Sequence, residues 1–131
     1  MITEHDRRYS AAVAYLERAD PATERQVAES LRPMLEAFCR VAYSTDFLPE
    51  SKLGQLCQQC VTRAGTPREI MSAANAQELR AILDYANRYH HDTNLTYATV
   101  LINDAELTDF VRRTLAFMRR PWGCGVGRVL P

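Results

Sequence analysis

Two short stretches hold the residues whose types and spacing could do chemistry. In Leu31-Arg32-Pro33-Met34-Leu35-Glu36-Ala37-Phe38 the apolar residues recur at helical spacing, so Arg32 and Glu36 fall one turn apart on one side of a helix. In Asn87-Arg88-Tyr89-His90-His91-Asp92 an amide, a guanidinium and two imidazoles are gathered where a helical pattern gives out. A helix C-terminus favours the protonated imidazole, and Asp92 acts in the same direction. An imidazole titrating near neutrality can take a proton from a reacting hydroxyl, and a guanidinium can stabilise negative charge that builds beside it. That chemistry requires no metal and no cofactor. Arg32, Glu36, Asn87, His90 and His91 are therefore the candidate catalytic set, with Arg88 and Tyr89 as candidate substrate contacts. Glu36 would orient Arg32 or an imidazole, and Asn87 would hold a phosphate oxygen. The same residues admit a purely structural reading. Arg32 and Glu36 would then form a surface ion pair worth ~0.3–0.5 kcal/mol, and His90-His91-Asp92 would merely finish a helix.

Other patterns point elsewhere. Cys57-Gln-Gln-Cys60 has the spacing of half a tetrahedral zinc site, but no second Cys pair exists, and the two residues fall on an apolar stripe with Leu53, Leu56 and Val61. Free cysteines there act as small hydrophobes. Gly123, Gly125 and Gly127 alternate without a flanking strand or helix, so no phosphate loop or dinucleotide fingerprint is present. Tyr43, Tyr85, Tyr89 and Tyr97 could stack on bases, although half-buried tyrosines are commoner in helical bundles. Arg112-Arg113 and Arg119-Arg120 make the end of the last helix basic, where the helix dipole favours cations in any case.

The elements that must position these groups are helical throughout, because apolar residues recur at three and four and no window alternates. The pattern predicts an all-α fold, an antiparallel bundle of about five helices. The first helix runs from about Thr3 to Ala19, and Asp20-Pro21 ends it and begins the second. The second carries Val27, Leu31, Met34, Leu35, Phe38, Cys39 and Ala42 to Tyr43, with a kink or a restart at Pro33. Ser44 to Glu50 read as a loop. Ser51 then caps a third helix closed by Gly65, Thr66-Pro67 opens a fourth segment, and Asn75 with Glu78 forms a capping box that restarts it. His91 to Ile102 read as an ordered loop. Asn103 and Glu106 cap the last helix, whose inner face is Leu107, Phe110, Val111, Thr114, Leu115 and Met118. Residues 1–120 are expected to form one domain, and 121–131 a flexible glycine-rich tail.

The chain has 131 residues, 47% of them hydrophobic, which suits one compact core. Sixteen basic and sixteen acidic residues cancel, so any contact with nucleic acid must be local. Lys52 is the only lysine beside fifteen arginines, and arginine forks suit carboxylate and phosphate. No apolar run suits a membrane span and no signal peptide is readable. A cytoplasmic protein with four reduced cysteines, making no membrane contact, is the expectation.

Leu31-Arg32-x-x-Leu35-Glu36-x-Phe38 and Asn87-x-Tyr89-His90-His91 resemble matching segments in the C-terminal helical region of bacterial coiled-coil, SMC-like ATPases. That group includes the anticodon nucleases, whose ribonuclease part is of the HEPN class. The likeness extends from about Asp20 to Met118. It implies a HEPN-like bundle, a homodimer with two sites facing one cleft, an RNA substrate such as tRNA, and a defence or toxin role. It also implies an ATPase of the same family as a partner, and an active-site set falling on Arg32, Glu36 and His91. The sequence departs from the usual HEPN spacing, since Arg88 lies two and three residues before His90 and His91 rather than four to six. The alternative function is a non-catalytic helical module that binds a protein partner and cleaves nothing.

Overall fold

The computed structural model describes residues 3–18, 24–90 and 101–119, and every regular element among them is helical. Five α-helices occur among the described residues: α1 (Glu4–Leu16), α2 (Glu24–Ala42), α3 (Leu53–Arg63), α4 (Ala73–Ala86) and α5 (Asp104–Met118). A 3-10 turn, Asn87–Tyr89, extends α4. His91, the stretch 91–100, the Asp20-Pro21 junction, Cys124 and the 121–131 segment lie outside the described residues. None of the described helices is long and apolar enough to cross a membrane.

The helix ends follow local chemistry. Thr3 and Asp6 form a capping box at the start of α1, each accepting a backbone N–H of the other. Asn103 Oδ1 accepts from Glu106 N–H at 2.9 Å and starts α5 as expected, but the Glu106 carboxylate turns to Arg88 instead of back to Asn103. Three expectations need correction. Lys52, not Ser51, precedes α3, and its N–H is taken by Gln55 Oε1 at 2.8 Å. Ser72, not Asn75, caps α4, accepting from the Asn75 N–H at 3.1 Å. Thr66-Pro67 opens no helix, because the Thr66 hydroxyl donates to the Arg63 carbonyl and accepts from Arg68 N–H, closing a turn after Gly65 at φ +80°. Pro33 neither ends α2 nor restarts it. The ~3 kcal/mol that an interior proline costs is outweighed by the burial of Leu31, Met34 and Leu35 around it, at ~1.5–3 kcal/mol each.

Two apolar clusters fix the direction of each helix. One gathers Ala12 and Tyr15 of α1, Val27 to Met34 of α2, the end of α4, and Leu107, Val111 and Leu115 of α5. The other gathers Leu35 and Cys39 of α2, the inner face of α3, Ala76 to Leu83 of α4, and Phe117. Helices α2 and α5 thus run from the first cluster to the second while α4 runs the other way, so α4 is antiparallel to both. Helix α1 is antiparallel to α5 as well: Tyr15 meets Asp104 at one end, and Arg119 donates to the Tyr9 hydroxyl at the other, at 3.1 Å. The bundle expected from periodicity is formed.

The α1–α5 contact closes on a polar knot. The Tyr15 hydroxyl donates to the Asp104 carboxylate and lies 3.2 Å from Thr108 Oγ1, while Arg18, at φ +57°, reaches Asp104 at 2.9 Å and Thr108 at 3.0 Å. Hydrogen bonds from Tyr15 and then Arg18 hold the Asp104 carboxyl below its ordinary value of 3.8. A depressed carboxyl adds stability that is complete above the unfolded value and is lost as pH falls through the lower folded value. Asp104→Asn should therefore lower Tm at pH 7, and the difference from wild type should shrink as pH is taken from 5 toward 2. Thermal melts across that range test this, and a difference that is constant with pH would contradict it.

Candidate functional site

The buried stripe of α2 leaves Arg32, Glu36 and Arg40 on one flank, at successive intervals of four residues. Opposite them α4 ends. Its last turn tightens into the 3-10 segment, and His90 follows in extended conformation at φ −110°, ψ 117°. Between these two pieces of chain lies a pocket of about 420 Å³, walled by Arg32, Glu36, Arg40, Ser51, Lys52 and His90. Glu50 completes its set of charged groups, so three fixed cations face two carboxylates, with one imidazole between.

Three of the five candidate catalytic residues line this pocket, and a fourth is bonded to one of them. Arg32 Nη1 donates to Asn87 Oδ1 at 2.6 Å, joining residues 55 positions apart in sequence. Glu36 is held by Arg40 Nη2 at 3.1 Å, so its partner is the guanidinium one turn after it, not that of Arg32. His91 is outside the described residues. The two candidate substrate contacts go elsewhere. Arg88 pairs with Glu106 of α5 at 3.1 Å and lies 5.1 Å from the centre of the Tyr85 ring. Tyr89 is only 2% exposed and packs against Tyr85 at 5.3 Å between ring centres, which makes it a core residue.

Sequence reasoning missed Arg40, which organises the wall. Its Nη1 donates to the Leu48 carbonyl at 2.7 Å and its Nη2 to the Ser51 carbonyl at 2.9 Å, and its guanidinium stacks 3.8 Å from the centre of the buried Phe47 ring. The 47–52 connection is thereby strapped to α2, and Lys52 is carried to the pocket's edge. The repeat of charged residues at 32, 36 and 40 was the available signal. The partners of Arg40 are backbone carbonyls of a loop, which no side-chain pattern announces.

The cysteines behave as packing groups. Cys39, Cys57 and Cys60 are buried in one cluster with Leu53 and Leu56. Burial pushes all three thiols up, Cys60 to about 12. Among the described residues no group of three His, Cys, Asp or Glu side chains is placed to hold a metal ion.

No protein-family model matches this chain, and no curated protein or solved structure matches it. The chemistry open to the site follows from its own groups. It offers a guanidinium oriented by an amide, an imidazole across from it and a lysine at the rim, a set suited to an anionic oxygen next to a proton-transfer group.

Thiols held neutral in a packed core react slowly with alkylating agents. Native protein treated with iodoacetamide at pH 7.5 should be unmodified at Cys39, Cys57 and Cys60 over a period in which guanidinium-unfolded protein is labelled at all three. Peptide mass spectrometry provides the readout, and rapid native labelling of the Cys57–Cys60 pair would overturn the packing role.

Proposed function

We propose that this chain is a metal-independent endoribonuclease of the HEPN-like kind, with the pocket between α2 and the end of α4 as its site. The observation that carries this reading is the convergence of Arg32 and Glu36 with Asn87 and His90 across more than fifty residues of sequence. His90, or His91 next to it, takes the proton from a ribose 2′-hydroxyl. The 2′-oxygen attacks the adjoining phosphorus, Arg32 stabilises the charge on the non-bridging oxygens, and the bond to the 5′-oxygen breaks as that oxygen takes a proton from solvent, the imidazole later returning its own proton to solvent. The product is a 2′,3′-cyclic phosphate. Asn87 fixes Arg32, and Glu36 acts through Arg40 to shape the wall. Loop RNA, tRNA among it, is the proposed substrate, and defence or toxicity the proposed role. Pairing into a homodimer and association with an ATPase of the resembling group belong to the same proposal.

A second reading is a helical module that binds a protein partner without cleaving anything. It draws on exposed apolar side chains, Val41 at 66%, Leu48 at 48% and Leu101 at 90%.

Incubation of total tRNA with the protein in EDTA separates the two. Cleavage leaving cyclic phosphate ends is expected. Loss of the acid–base group or of the charge-stabilising fork costs about 10²–10⁴-fold in comparable mechanisms, so His90→Ala or His91→Ala, together with Arg32→Ala, should fall by that order. Equal cleavage by wild type and all three variants would mark a contaminant. No cleavage of a range of RNAs would remove the nuclease reading and leave the interaction module.

A further inference from the structure

A second, smaller pocket adjoins the first. It measures about 230 Å³ and is walled by Gly54, Cys57, Gln58, Arg80, Asp84 and Asn87. The two have no wall residue in common, but bonded and consecutive residues link them. Asn87 borders it while holding Arg32 of the larger pocket, and Leu53 and Gly54, consecutive in the first turn of α3, border the larger and the smaller pocket respectively. A Cβ built at Gly54 would meet nothing within 4 Å, so the space over that turn is open.

Cations stand along this line. Lys52 makes no ion pair among the described residues, and Arg32 commits one N–H of five to Asn87. Arg80, 45% exposed, lies 4.0 Å from Asp84 and 3.4 Å from Gln58 and also interacts with the Cys57 thiol. Among the described residues no Phe, Tyr or Trp ring walls either pocket. A ligand there would be held by its charges and not by stacked bases.

We propose that the two pockets are one track for an extended single-stranded polyanion, passing from His90 over the first turn of α3 to Arg80, with Lys52 and Arg80 as phosphate contacts on either side of Asn87. The identity of that polyanion as RNA rests on the nuclease reading. The track itself rests on Leu53 and Gly54 bordering one pocket each, the Arg32–Asn87 bond that joins the two, the open space at Gly54 and a cation, Lys52 or Arg80, in each wall. Binding led by phosphates is strongly salt-dependent and nearly indifferent to sequence.

The test uses the full chain and 2′-O-methyl oligoribonucleotides, which lack the attacking hydroxyl, in lengths from two to eight nucleotides. Fluorescence anisotropy in EDTA between 50 and 200 mM salt gives affinity and its salt slope. Affinity should rise with length, and Gly54→Phe, which fills the track, should weaken the longest oligomer about tenfold while sparing the dinucleotide. Gly54→Ala should match wild type, which controls for any effect on the helix. Lys52→Gln and Arg80→Gln should each lower the salt slope by about 0.7, the value per phosphate contact on a single strand.

Affinity independent of length, or unchanged by Gly54→Phe, overturns the track, as does the absence of any binding. Polyglutamate binding as tightly as RNA would replace the nucleic acid by an acidic peptide and overturns the proposal as stated. The nuclease reading is scored separately by cleavage of unmodified RNA. Cleavage unaffected by Gly54→Phe removes the track alone. Length-dependent binding without cleavage keeps the track and removes the nuclease.

Discussion

The position of α2 decides where everything else goes. Val27, Ala28, Leu31, Met34, Leu35 and Cys39 are all buried, and their stripe enters both apolar clusters. A helix committed over that length has no freedom to rotate about its axis, because turning it would expose one end of the stripe or the other. Its polar flank is therefore fixed too. Arg32, Glu36 and Arg40 follow each other on that flank with a drift of about 40° per step, which spreads them along the face toward α4. The orientation of the charged residues is a consequence of the buried ones.

Burial alone would leave the guanidiniums loose, and each is fixed by a different means. Arg32 is held by Asn87, which lies at the point where α4 turns into a tighter helix. Arg40 is held by Glu36, by two carbonyls of the 47–52 connection and by the face of Phe47. Ion pairs this exposed add little stability, with exposed pairs typically worth ~0.2–1 kcal/mol. Their effect is geometric: they remove rotamers from long side chains and define where the remaining donors point.

Much of this was legible in the sequence, for identifiable reasons. The five helices, the stripe of α2, the Asn103 cap and the burial of the Cys57–Cys60 pair all follow from periodicity of 3.6 and from capping chemistry, which act within a few residues. The Arg32–Asn87 bond was legible only as two separate candidate stretches, since their meeting depends on α4 lying antiparallel to α2. Tyr89 misled because a tyrosine beside histidines suggests a ligand contact, whereas its position on the helix puts it on the Tyr85 side and inside the core. Arg88 misled for a related reason: one residue earlier, it faces α5 and finds Glu106, a residue the sequence had assigned to a cap. Phe47 lay hidden in a stretch read as loop, and its burial is what gives Arg40 a flat partner.

In a chain of neutral net charge, a wall with more cations than carboxylates requires that the charges be sorted locally. Most described acidic partners sit where they cancel an arginine, as Glu78 and Asp109 do for Arg113, Glu106 for Arg88 and Asp104 for Arg18. Lys52 is set apart from that arrangement. Its ammonium is a compact charge on a flexible stem, suited to following a phosphate whose position varies, whereas the forked Arg32 is suited to one fixed oxygen pair. A chain with fifteen arginines and one lysine places the lysine on the connection that Arg40 straps down. The flexible cation is thus mounted on a fixed base in the same wall as Arg32, and the three cations of that wall outnumber its two carboxylates although the molecule as a whole is neutral.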